Sequence, residues 1–207
     1  MNEMLNSKYN FLHCTANVNL ENLKLFVNQT SNELKQQFEK DGSLILKTTS
    51  GEDRIYNPID YFSRYNIFKY QNETLYDLLQ YIKILTVEMC ERLNIDYQKQ
   101  KYHIHGWINR YLGELNNNSK ENLPWHNHGD ESDHFHGIFA VDAEPSVTHY
   151  RIDGNYMDLE QKNGQLVLLT NYEHSHGYWG ETRPRITLAF NIKPVNRLPA
   201  EKTYIPL

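Results

Sequence analysis

The chain changes its hydrophobic rhythm half-way along. Leu20, Leu23, Phe26, Val27, Leu34 and Phe38 recur at helical spacing, and Asp41-Gly42 supplies a stop. Thr30-Ser31-Asn32 inside this stretch predicts a split into two helices. A second and clearer helix is predicted over about Glu73 to Leu93. Leu75, Leu78, Leu79, Ile82, Leu85, Met89 and Leu93 share one face there, and Asn72 or Thr74 is placed to cap it. From Tyr102 the period becomes two. Tyr102, Ile104, Gly106 and Ile108 alternate with His103, His105, Trp107 and Asn109, the pattern of a long strand. Shorter strands are predicted at 9–14, 44–48, 136–142, 146–152, 165–170 and 185–193. Turns are expected at Ser50 to Asp53, Asn57-Pro58, Asp153-Gly154-Asn155 and Asn163-Gly164. Residues 113–122 read as a polar loop, and 194–207 as an extension that either packs on the sheet or hangs free.

Short strands without helices between them point to an antiparallel sandwich or barrel, here with helices packed on one sheet. The 207 residues suit one domain. Residues 1–100 form its helical support region and 101–193 its β core. Fifteen tyrosines agree with β structure and an aromatic, partly polar interior. A net charge of −5 without a basic stripe argues against nucleic acid as partner. Cys14 and Cys90 lie far apart, which favours a reducing compartment over a disulfide framework. No apolar run reaches the ~20 residues needed to span a bilayer, and the first residues lack a signal-peptide pattern. The expected location is the cytoplasm; oligomeric state stays open.

Chemistry concentrates in one stretch. Seven of the ten histidines fall between His126 and His176. In an extended segment His126 and His128 share a face, as do His128 and Asp130, and a remote His174 completes a triangle for a metal ion. His176 shares the face of His174 and is its rival. His103 with His105, and His134 with His136, have the same spacing and are read as strand-face histidines.

With these motifs assembled, residues 103–192 resemble the Fe(II)- and 2-oxoglutarate-dependent dioxygenase superfamily. They are most like a subgroup with a Trp-x-Asn strand, a His-x-His pair, a distal histidine and a final Arg-x-Ser/Thr strand ending in Phe-Asn. The corresponding pieces are Trp107-Ile108-Asn109, His126-Asn127-His128, His136-Gly137-Ile138-Phe139-Ala140, His174, and Arg185-Ile186-Thr187-Leu188-Ala189-Phe190-Asn191. The resemblance implies a double-stranded β-helix (jelly-roll or cupin-like barrel) with iron at one mouth. It further implies 2-oxoglutarate as cosubstrate, O2 as oxidant, and release of succinate and CO2 as a substrate C–H bond is hydroxylated. Carried over residue by residue, His126, His128 and His174 hold the metal. Asp130 stands as the alternative to His126, because the commoner form of the motif is His-x-Asp. Arg185 grips the distal carboxylate of 2-oxoglutarate, Thr187 adds a hydroxyl, and Asn109 and Tyr150 reach the cosubstrate. Arg183 competes with Arg185 but lies beyond Pro184. Trp125 and Trp179 border the motifs, with Tyr178, at a substrate mouth. The substrate itself, a small molecule or a protein, is not legible. Two further readings stay open: a cupin-type metalloprotein without 2-oxoglutarate, using His126, His128 and Glu131 ahead of Gly137, and a non-enzymatic binding protein on the same barrel.

Overall fold

The computed structural model describes residues 10–40, 45–47, 53–55, 62–111, 125–128, 134–152, 154–170, 172–178, 184–199 and 203–207. Two helices carry the predicted stripes. Helix α1 runs over Leu20–Lys40. It is continuous through Thr30-Ser31-Asn32, contrary to the predicted split. Ser31 Oγ donates to Val27 O at 2.6 Å, so the hydroxyl is satisfied inside the helix rather than breaking it. Helix α2, Glu73–Arg92, begins where Asn72 Oδ1 accepts from Leu75 N at 3.1 Å. A single turn, α3 (Tyr97–Gln100), leads into the sheets.

The main sheet has six antiparallel strands. In spatial order they are β1 (Phe11–Thr15), β8 (Gln165–Leu169), β5 (Phe135–Asp142), β10 (Arg185–Pro194), β4 (Tyr102–Tyr111) and β11 (Ile205–Pro206). The smaller sheet has the order β7 (Asn155–Glu160), β6 (Ser146–Ile152) and β9 (Glu173–Tyr178). A hairpin, β2 (Ile45–Lys47) with β3 (Asp53–Ile55), stands apart from both. The leading strand β1 belongs to the barrel although it precedes the helices, so the support region supplies an edge of the sheet. The C-terminal extension packs: Leu207 N donates to Tyr102 O at 3.0 Å, and Tyr97 Oη donates to Leu207 O at 3.1 Å.

Period-two alternation sorts the main sheet into two faces. Phe135, Phe139 and Val141 of β5, Ile186, Leu188, Phe190 and Ile192 of β10, and Ile104 and Ile108 of β4 meet the helices in one large core. Two glycines let aromatic rings lie flat on that face. A Cβ on Gly106 would meet Phe68 Cε2 at 2.3 Å, and one on Gly137 would meet Phe190 Cζ at 2.1 Å. The other face closes on the small sheet through Phe11, Val167 and Leu169 against Tyr150, Ile152, Met157 and Leu159. That second core fills only one end of the space between the sheets. The remaining inward positions of β4, β5 and β10 carry His105, Trp107, Asn109, His136, Arg185, Thr187 and Asn191, all buried.

Candidate metal centre

Inward-facing polar side chains in a dry space must find partners among themselves or in a ligand. Their positions follow from strand register. His126 makes an isolated antiparallel bridge to His174, with His126 N to His174 O at 3.1 Å and the return bond at 2.9 Å. The His-x-His segment therefore extends the small sheet beyond β9. His126 and His128 then project to one side, where β9 delivers His174. The ligand atoms of His126, His128 and His174 all lie within 4.8 Å of one another.

The three imidazoles line a cavity of roughly 240 Å³ with Ser63, Trp107, Asn109, His136, Ile138, His176 and Ala189. His174 is buried and His126 is exposed, so the triangle has a closed side and an open one. Its backing is aromatic. His136 stacks on His128 with centroids 3.7 Å apart and planes 9° from parallel, and Trp107 stands 5.7 Å from His128. His176 faces the same cavity and its Nδ1 pairs with Thr148 Oγ1 at 3.2 Å.

Burial holds down the basicity of His134, His136, His174 and His176. It keeps His174 well below the usual imidazole value, helped by the neighbouring His136 and His126 and by the cation of Arg185. His176 is lowered by burial and then by Arg185, and His136 by burial and then by His128. Burial and the Lys193 cation bring His134 to about 4. Neutral imidazole is the form that binds a metal, so the surroundings of His174 favour its role as a ligand. The donor set, three imidazole nitrogens with open positions, suits a borderline divalent ion such as iron or zinc.

Arg185 is completely buried. Its Nε donates to Ser146 Oγ at 3.0 Å and its Nη1 to Thr187 Oγ1 at 3.5 Å. It sits four residues from the cavity-lining Ala189 on the same face of β10, about 13 Å along the strand at ~3.3 Å per residue. Its guanidinium crosses to Ser146 on β6, the strand paired with the β9 of His174 and His176, and its charge lowers the basicity of both rings. Tyr150 pairs with His174 in register and is wholly buried; burial raises its phenol, and Arg185 works against that rise. Asn109 lines the cavity, as its place on β4 predicts.

Other candidates fall elsewhere. Trp125 is not among the cavity residues. The segment is extended, so with His126 turned inward Trp125 turns outward, where Arg151 lies 4.0 Å over its ring and Tyr156 stands 5.7 Å away. His105 is held by Thr203 O and Ser63 O, both at 2.9 Å, and His103 by Lys101 O at 3.0 Å. Asp130, Glu131, Trp179 and Arg183 lie outside the described residues, as does the Tyr178 side chain. Two residues that sequence reasoning passed over are Ser146 and His136 as a cavity residue. The His134/His136 spacing puts both on one face, but that face's position beside His128 depends on how β5 docks against the His-x-His segment.

Two facing antiparallel sheets with this triangle at one end form a double-stranded β-helix. Solved structures of similar fold include a prolyl-4-hydroxylase from Pseudomonas putida, with 12% identity over 91% of this chain and 90% of that one and a TM-score of 0.51. A 2OG-Fe(II) oxygenase family protein from Caulobacter crescentus matches at 12% identity over 96% and 87%, TM-score 0.51. A dioxygenase for auxin oxidation from Arabidopsis thaliana, solved with 2-oxoglutarate, matches at 12% identity over 90% and 83%, TM-score 0.50. No family model and no curated protein matches the sequence. No helix among the described residues is long and apolar enough to cross a membrane.

Proposed function

We propose that this chain is an Fe(II)- and 2-oxoglutarate-dependent oxygenase that hydroxylates a C–H bond of its substrate and releases succinate and CO2. One observation supports the reading above others: three imidazoles converge at one mouth of the barrel while a wholly buried guanidinium, held by two hydroxyls, lies on the adjoining strand face. His126, His128 and His174 would hold the iron. When bound, iron with 2-oxoglutarate supplies the oxidising power for a reaction that no side chain here can perform alone. Arg185 would bind the far carboxylate of 2-oxoglutarate through a planar fork that matches carboxylate geometry. Ser146 and Thr187 orient that fork, Asn109 supplies a polar group to the cavity wall, and Tyr150, buried opposite His174 in the small sheet, would reach the cosubstrate from behind it. Trp107, Ile138 and Ala189 exclude water from the inner side of the cavity.

The test is succinate formation from 2-oxoglutarate with Fe(II), ascorbate and O2. Iron-dependent succinate that disappears in His174→Ala supports the reading, and production unchanged in that variant overturns it. A metalloprotein of the cupin type, working without 2-oxoglutarate, is the less favoured alternative. It gives the buried Arg185–Ser146–Thr187 arrangement no task, and its carboxylate ligand, Glu131, is outside the described residues.

A further inference from the structure

The cavity wall contains one buried nitrogen whose bonding is incomplete. His136 is 4% exposed and lines the cavity. Its Nδ1 lies 3.0 Å from Asn191 Oδ1. An amide oxygen only accepts, so the proton sits on Nδ1 and Nε2 presents a bare lone pair. That Nε2 is buried without a hydrogen-bond partner among the described residues. His136 is not one of the three histidines whose ligand atoms gather; it stacks face to face on one of them. A buried acceptor left unmade costs as much as a lost hydrogen bond, and the described residues supply no donor to it, while the ring lines a cavity that can receive one. 2-Oxoglutarate cannot be that donor, because at neutral pH its keto and carboxylate groups only accept.

From this geometry we infer that His136 determines substrate choice, accepting through Nε2 a hydrogen bond from an O–H or N–H group of the substrate held beside the metal. The inference rests on the oxygenase reading. It narrows the substrate to a compact molecule with a donor close to the reacting carbon. Wholly aliphatic or fully capped molecules would leave Nε2 unmade and bind poorly.

The experiment uses Zn(II)-loaded full-length protein, with and without 2-oxoglutarate, and two probe pairs that differ in one donor. These are benzyl alcohol with benzyl methyl ether, and benzamide with N,N-dimethylbenzamide. Ligand-detected NMR reads their relative affinities for wild type and for His136→Phe, which keeps a flat ring and removes the lone pair. Wild type should favour the donor member by about fivefold or more, and the variant should show no preference while keeping wild-type zinc stoichiometry. Equal affinity within both pairs, failure of either donor member to bind, or a preference that survives in His136→Phe overturns the inference. So does loss of zinc from a folded His136→Phe, which would make His136 a ligand. Nitrogen-15 NMR of the wild-type imidazoles, independent of any variant, should show His136 protonated on Nδ1; protonation on Nε2 overturns it. If 2-oxoglutarate fails to bind the zinc form, the oxygenase reading falls, while the preference measured with zinc alone still decides the role of His136.

Discussion

Arg185→Gln is the perturbation that bears most sharply on the site. The guanidinium is completely buried and is fixed on two sides, by Ser146 at 3.0 Å and Thr187 at 3.5 Å. A carboxylate that meets it does so in a dry setting with its partner already oriented. Removing one member of such a buried charged pair costs about 2–5 kcal/mol. At about 1.4 kcal/mol per decade this is roughly 30- to 4000-fold in the Kd for 2-oxoglutarate. Arg185→Lys keeps the charge and loses the fork, so it should fall between wild type and Gln. The histidines give a second readout. Arg185 lowers the basicity of His174 and His176, so its removal raises both and lets protons compete better with metal. In Arg185→Gln, metal retention should fail at a higher pH than in wild type while remaining stoichiometric at pH 8. Calorimetry of 2-oxoglutarate into metal-loaded protein gives the first number, and metal analysis across pH gives the second. A Kd within about twofold of wild type for Arg185→Gln would refute the anchoring role.

Other outcomes follow from the same geometry. His126→Ala, His128→Ala and His174→Ala should each lose metal in equilibrium dialysis, whereas His103→Ala, whose ring is held by Lys101 O, should not. Gly137→Ala puts a methyl 2.1 Å from Phe190 Cζ and 2.7 Å from Val167 O, and should cost about 1–3 kcal/mol, a fall of roughly 2–12 °C in Tm. A Tm within about 1 °C of wild type would show that the Phe190 ring has room to move. Metal-free stability should fall in acid. His134, His136 and His174 have folded values below the ordinary 6.5, so the unfolded chain binds more protons in the window beneath 6.5 and stability is lost as pH drops through it. Each such histidine contributes a slope of up to about 1.4 kcal/mol per pH unit. Urea unfolding at pH 7, 6 and 5 should show a steepening loss, and a flat profile would contradict the burial of these rings.

The sequence carried the parts of this fold in which hydrophobic pattern and structure agree. Helix α2 was legible from its stripe and its Asn72 cap, and β4 from strict alternation. It was less legible where another demand displaced hydrophobic residues. Strand β9 has the sequence Glu-His-Ser-His-Gly-Tyr, and the histidines at 174 and 176 that line the cavity occupy positions where apolar residues would mark a strand. Strand β7 pairs only with β6 at the sheet edge and buries just the sides of Met157 and Leu159. The split expected in α1 counted Ser31 as a breaker without knowing that its hydroxyl would bond back to Val27 O. At the site, period two brought His126 and His128 to one face, yet the bridge that sets His126 against His174 pairs residues 48 positions apart (174 − 126).

The central claim is that three histidines and Arg185 together make one site for a metal and 2-oxoglutarate. It is tested most directly by titrating 2-oxoglutarate calorimetrically into protein loaded with Fe(II) under anaerobic conditions and into the same protein stripped of metal. The account predicts tight binding of one equivalent only when metal is present, abolished in His174→Ala and strongly weakened in Arg185→Gln. Equal binding with and without metal, or no binding to the iron-loaded protein, would contradict it.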